Sequence, residues 1–184
     1  IWPKRERDVH PALMTTYSPP NTTFVRGDGV YLFDEVGKKY LDFTSGIAVL
    51  SLGHCHPHLV KCLERQAKTL WHTSNMFRVP AQELLAERLT QNSFAESVFF
   101  ANSGTEAVEC GLKLIRKHFF SSGSKERYRI ITFEGGFHGR TFGSMAAGNN
   151  NKYLSGFEPT LSGFDQVPFA DLDAVRSVIS SKTA

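Results

Sequence analysis

No stretch of this 184-residue chain is apolar over the roughly 20 residues a helix needs to cross a bilayer, which excludes a helical membrane span. Its opening, Ile1-Trp2-Pro3-Lys4-Arg5-Glu6-Arg7, lacks the apolar core of a signal peptide. Cysteine is scarce. Cys55, Cys62 and Cys110 form an odd set without CxxC or zinc-ribbon spacing, which suits a reducing compartment better than a disulfide framework. The chain reads as cytosolic, and an organellar leader removed ahead of Ile1 would leave no trace. Long basic runs are missing too: 21 basic residues stand against 18 acidic ones, a net charge of +3 without the footprint of a nucleic-acid or anionic-membrane binder. Small molecules and other protein subunits are the expected partners. Neither GxGxxG nor GxxxxGK[ST] occurs, which disfavours a nucleotide-binding domain. Internal repeats and low-complexity tracts are also lacking.

What is present, 41% hydrophobic and 21% charged residues, suits a globular α/β chain with a sizeable core. The most informative stretch is Val98-Phe99-Phe100-Ala101-Asn102-Ser103-Gly104-Thr105-Glu106-Ala107, which predicts a buried strand, a tight polar turn and a helix. Ser103 followed three residues later by Glu106 has the form of a capping box, with the helix starting at Gly104. The first N–H groups of such a helix have no intrahelical partner. Together with the Ser103 and Thr105 hydroxyls they can receive an anion such as a phosphate, and Gly104 admits it to the backbone. The same residues also fit an ordinary capped helix. Behind the turn, Ala107, Cys110, Gly111, Leu114, Ile115 and His118 recur at helical spacing and predict a face turned to a core.

Taken in order, residues 1–22 are polar and rich in Pro and Thr and read as a docking arm. Short runs between Phe24 and Phe43 predict a small antiparallel unit. The segment Thr44 to Gly53 is apolar and glycine-bounded, which predicts a buried connection. His54-Cys55-His56-Pro57 contains metal-ligand types, but no second cluster completes a four-ligand set, so the run is read as a turn entering a helix, with no metal expected. Amphipathic helices are predicted from His58 to Leu70 and from about Pro80. Arg129 to Phe133 predicts a second buried strand, parallel to the one before Ser103. The glycine-rich turn Glu134 to Thr141 then emerges on the same carboxyl edge, where open α/β sheets bind ligands. A polar connection, the run Phe164 to Phe169 and a helix from Leu172 to Ile179 complete the chain. The boundary between short strands and alternating helices and strands lies near residues 44–57. It divides residues 1–52, an arm and small-domain segment, from residues 53–184, part of a large α/β domain.

Ser103-Gly104-Thr105-Glu106-Ala107, Phe137-His138-Gly139-Arg140-Thr141 and Gly53-His54-Cys55-His56-Pro57, in this order and at these separations, resemble the class III pyridoxal-phosphate-dependent aminotransferases, closest to the acetylornithine and ornithine branches. The likeness covers nearly the whole chain. It implies the type I pyridoxal-phosphate transferase fold, pyridoxal 5'-phosphate as cofactor and a homodimer. By position, Ser103, Gly104 and Thr105 would hold the cofactor phosphate, Phe137 would stack on the pyridine ring and His138 would shape its pocket. Arg140 would hold the substrate α-carboxylate. Tyr17 is shared with the ornithine branch, whereas Ile47 stands where that branch carries an aromatic, and the Gly46-Ile47-Ala48-Val49 run looks more like the acetylornithine branch. The implied reaction moves an amino group between N-acetylornithine, from arginine biosynthesis, and 2-oxoglutarate. Free ornithine, succinyl-diaminopimelate and a truncated non-catalytic anion-binding homologue are the alternatives. The resemblance also calls for a Schiff-base lysine, which no lysine here matches. These residues alone are therefore expected to be inactive, with no catalytic residue of their own and the remainder of the enzyme chain as a partner.

Overall fold

In a computed structural model of the protein, which describes residues 12–184, the chain divides into two compact units, one ending at Val79 and the other running from Pro80 to Ala184. The boundary expected near residues 44–57 falls inside the first unit. The start of the predicted arm, residues 1–11, lies outside the described residues. Its remainder, 12–22, is irregular and exposed.

The first unit is built on the expected antiparallel meander, β1 (Phe24–Asp28), β2 (Tyr31–Asp34) and β3 (Lys39–Leu41), in that order in the sheet. Asp34 closes the β2–β3 turn by accepting from the N–H groups of Val36 and Lys38 and from the Tyr40 hydroxyl. The chain then makes a single short turn, α1 (Ser45–Ala48), and enters α2 (Pro57–Ala67), which starts on proline as the sequence suggests. The stretch from α1 to the start of α2 is not buried: Ile47 is 91% exposed and Val49 74%. Hydrophobic residues predicted a buried connection, but none of the described residues covers them.

The second unit opens with α3 (Pro80–Gln91) and the long helix α4 (Gly104–Ser121). Between them, residues 98–100 form no strand, because no described segment pairs with them. The parallel pair that the sequence assigned to this segment and residues 129–133 is instead β4 (Ile130–Phe133) with β5 (Phe164–Val167), in register from Ile130 opposite Phe164 to Phe133 opposite Val167. Arg129 locks the start of the pair. Its guanidinium donates to both Asp165 carboxylate oxygens, which holds that carboxyl below the usual carboxylate range.

The stretch between β4 and β5, read as a polar connection, holds two further helices, α5 (Phe142–Gly148) and α6 (Asn151–Leu154), before α7 (Leu172–Val178). The core of the described residues sits here. Ala146 and Ala147 of α5, Leu154 of α6 and Val167 of β5 are its buried hydrophobic side chains. The apolar face predicted for α4 is only partly covered: Ala107, Leu114 and His118 are exposed, and Leu114 with Phe99, Phe100 and Cys110 lines an open groove of about 700 Å³. The half-buried face of α4 is instead centred on Val108, Glu109, Leu112, Ile115, Arg116 and Phe119, so periodicity placed the apolar stripe but not the side that the described residues pack against.

Candidate functional site

Ser103 is the N-cap of α4, as its spacing from Glu106 requires. It sits in extended backbone and its Oγ accepts from the Glu106 N–H at 3.3 Å. The reciprocal half of the box differs, since the Glu106 carboxylate accepts from the Ser103 hydroxyl at 2.8 Å. Ala107 N–H makes the first backbone bond, to the Ser103 carbonyl at 3.1 Å. The N–H groups of Gly104 and Thr105 precede it and are the open donors at the positive end of an 18-residue helix. Nothing lies within 4 Å of the position a Cβ on Gly104 would occupy, so a ligand can reach this backbone.

The turn after β4 comes directly onto this helix start. A Cβ on Gly139 would lie 2.2 Å from Thr105 Oγ1 and 3.0 Å from Thr105 Cα, and Gly139 has a φ of +125°, so glycine is required by both space and conformation. Beyond it Thr141 caps α5 by accepting from the Ser144 N–H. A hydroxyl network seals the junction: Thr105 Oγ1 lies 2.8 Å from Ser144 Oγ and 3.3 Å from Thr141 Oγ1, and Thr141 donates to the Glu109 carboxylate. Ser144 is fully buried. A carboxylate only accepts, so Glu109 claims the Thr141 hydrogen. Ser144 Oγ also lies 2.8 Å from Thr141 Oγ1, so with the Thr141 hydrogen on Glu109 it is Ser144 that donates to Thr141 and Thr105 that donates to Ser144; an anion at the helix start would compete for the Thr105 hydrogen.

Phe137 and Arg140 are brought together by Tyr153 of α6. The Phe137 ring meets it edge-on at 6.1 Å, and the Arg140 guanidinium lies 5.2 Å from its centroid. Phe137 is 64% exposed, leaving a ring face for a ligand. His138 turns inward against Gly136, and its Nε2 is buried without a protein partner. Tyr17 and Ile47 belong to the first unit and are exposed there. Glu109, Ser144 and Tyr153 escaped the sequence reading. Only the Thr141-to-Ser144 spacing, an N-cap signal overshadowed by Gly143 and Gly148, could have pointed to one of them.

His54 is occupied structurally. Its Nε2 donates to Asp42 Oδ2 at 2.8 Å, and Asp42 also accepts from the Thr44 hydroxyl and the N–H groups of Thr44 and Ser45. The Thr44 hydroxyl, then His54 and the Ser45 N–H, hold the Asp42 carboxyl well below the usual carboxylate range.

An α/β unit that joins a capped helix start to a glycine turn at the carboxyl end of a strand has the layout of a phosphate-cofactor transferase. Comparison with known proteins narrows the class. The sequence matches the family described as "Aminotransferase class-III" over residues 14–182. It is 54% identical to the acetylornithine aminotransferase of Agrobacterium fabrum, over 94% of this chain and 43% of that protein. It is 47% identical to the Aquifex aeolicus enzyme of the same name, over 94% and 46%. Among solved structures, the ornithine aminotransferase of Toxoplasma gondii superposes with a TM-score of 0.85 at 26% identity, covering 90% of this chain and 40% of that one. The N-acetylornithine aminotransferase of Stenotrophomonas maltophilia gives a TM-score of 0.72 at 36% identity, over 88% and 39%. The chain thus spans about two fifths of the length of these relatives. It belongs to the class-III aminotransferases, a pyridoxal-phosphate-dependent family, and has their fold.

The residues present fit that cofactor. Open backbone donors at Gly104 and Thr105 and an exposed aromatic face together match a phosphate with an attached aromatic ring.

Proposed function

We propose that this chain supplies the cofactor-phosphate and substrate-carboxylate residues of an acetylornithine-type aminotransferase, which exchanges an amino group between N-acetylornithine and 2-oxoglutarate. The observation that carries the reading is the Gly139–Thr105 approach, because it joins the anion-receiving helix start to the turn bearing Phe137 and Arg140. Ser103, Gly104 and Thr105 bind the phosphate, and Phe137 orients the ring. His138 shapes the pocket wall behind Phe137. Arg140 grips the α-carboxylate of the amino donor, and Tyr17 and Ile47 meet the rest of the substrate. Bound there, pyridoxal phosphate supplies the electron sink that weakens the Cα–H bond of the donor. The protein's share is to fix the rotation about that carbon and to keep the phosphate anchored.

The proposal extends to the whole protein: residues 1–52 form an arm and small-domain segment, residues 53–184 part of the large domain, and the enzyme works as a cytoplasmic homodimer. The groove along α4, with Phe99, Phe100, Cys110 and Leu114 in its lining, and the unpaired backbone of residues 98–100 are surfaces which the remainder of the enzyme covers. The substrate is tested by competition. With the full-length protein, kcat/KM for N-acetylornithine is expected to exceed that for ornithine at least tenfold, the size of discrimination an apolar pocket can achieve. Equal or reversed values would assign the chain to the ornithine branch.

A further inference from the structure

The turn between β3 and α2 has a backbone that the sequence does not favour. Ser45, Gly46, Ile47 and Ala48 have φ values of 46°, 61°, 68° and 61°, four successive left-handed residues of which one is glycine. For the other three this conformation costs about 1–2 kcal/mol each. Such strain persists only where the surroundings over-determine it. Here the surroundings are one carboxylate and one imidazole. Asp42 Oδ1 accepts from the Thr44 N–H at 3.0 Å, the Thr44 hydroxyl at 2.7 Å and the Ser45 N–H at 2.9 Å. Its Oδ2 accepts from His54 Nε2 at 2.8 Å, so the imidazole carries a hydrogen on that nitrogen. The Asp42 side chain is 5% exposed and that of His54 18%.

His54 is itself held by the meander. Its N–H donates to the Gly29 carbonyl at 2.7 Å and its carbonyl accepts from the Gly29 N–H at 3.0 Å. Its ring lies so close to Gly27 that a Cβ there would be 2.5 Å from His54 Cγ. Gly53, at φ +78°, passes the Gly29 carbonyl with no room for a side chain. The strut thus runs from β1 and the Gly29 link after it through His54 and Asp42 to the start of the turn. At its far end the turn closes on itself, with Val49 and Leu50 donating to the Ser45 carbonyl. The product is an Ile47 side chain held outward, 91% exposed.

We propose that Asp42 and His54 are positioning residues that hold the Ser45–Ala48 turn left-handed and thereby set where Ile47 meets the side chain of the amino donor. This rests on the reading of Ile47 given under the proposed function. An apolar side chain presented at the cost of three strained residues is a placement. A relaxed, right-handed or extended link would join β3 to α2 without it.

The test uses the full-length, cofactor-loaded enzyme and the ratio of kcat/KM for N-acetylornithine over ornithine. His54→Leu keeps the bulk against Gly27 and removes the donor. It is expected to lower the ratio on the order of tenfold, mainly through KM for the acylated substrate, since a displacement near 1 Å is worth that much or more. Cofactor absorbance should be unchanged. His54→Gln, which keeps a donor for Asp42, should recover most of the ratio. Hydrogen exchange in a peptide spanning 43–52 should rise in the leucine variant and not in the glutamine one. Ile47→Tyr checks the underlying reading independently. A shifted ratio in Ile47→Tyr with an unchanged ratio in His54→Leu would overturn the positioning role and leave the Ile47 assignment standing. An unchanged ratio in Ile47→Tyr would overturn both. An equal loss for the two substrates in His54→Leu would make the pair a stability element only, against the proposal. Where His54→Leu does not fold, Thr44→Val, which deletes a single hydrogen bond to Asp42, carries the test: a smaller shift in the same direction supports the proposal and an unchanged ratio overturns it.

Discussion

Replacing Arg140 with lysine in the full-length enzyme is expected to lower kcat/KM for the amino donor about a hundredfold, or roughly 2.7 kcal/mol of transition-state stabilisation, with cofactor absorbance intact. The expectation follows from where the residue stands. Arg140 lies between Gly139, pressed against Thr105, and Thr141, the cap of α5, so its backbone is fixed on both sides. Its guanidinium lies over the Tyr153 ring, which also meets Phe137. A planar fork held in this way can donate two parallel charge-assisted bonds to a carboxylate, whereas an ammonium group offers charge without the fork or the stacking. Steady-state kinetics check this. Near wild-type kcat/KM would mean that the carboxylate is held elsewhere, and loss of bound cofactor would move Arg140 into the phosphate site.

Gly139→Ala is expected to be at least as damaging, and through the cofactor. The added methyl would meet Thr105 Cα at 3.0 Å as well as its hydroxyl, and no side-chain rotation relieves a clash with backbone. Overpacking costs about 1–3 kcal/mol and a strained positive φ a similar amount. The turn escapes by moving off the α4 start, which separates the phosphate donors from Phe137 and Arg140. Cofactor affinity should fall on the order of a hundredfold or more, at about 1.4 kcal/mol per decade, while far-ultraviolet circular dichroism stays close to wild type. An alanine variant that retains cofactor through gel filtration would show that the two turns bind independently.

What the sequence disclosed and what it concealed follow the range of the interactions concerned. The Ser103 cap was legible because its partners lie within four residues, and the meander from Phe24 to Leu41 because alternation and turn residues are local signals. Val98–Phe100 was misread because a strand is defined by its neighbours, and no described segment pairs with it. Helix α5 was hidden by Gly143 and Gly148, which lower helix propensity but here permit close packing: a Cβ on Gly143 would meet the Glu109 carboxylate at 2.6 Å. The Thr105, Thr141, Ser144 and Glu109 network joins residues 32 to 39 positions apart and leaves no periodic trace. The left-handed turn had Gly46 as its only sequence cue, and Ser45, Ile47 and Ala48 adopt positive φ under tertiary constraint.

The central claim is that the α4 start binds the cofactor through its phosphate. The direct measurement is a pair of titrations, pyridoxal phosphate and phosphate-free pyridoxal, each against the full-length protein and its Thr105→Ala variant. Wild type should favour the phosphorylated form strongly. Thr105→Ala should weaken pyridoxal phosphate by about 1–3 kcal/mol, the value of a hydrogen bond to a charged group, and leave pyridoxal nearly unaffected. Equal losses for both ligands, or an unchanged affinity for pyridoxal phosphate, would contradict the account.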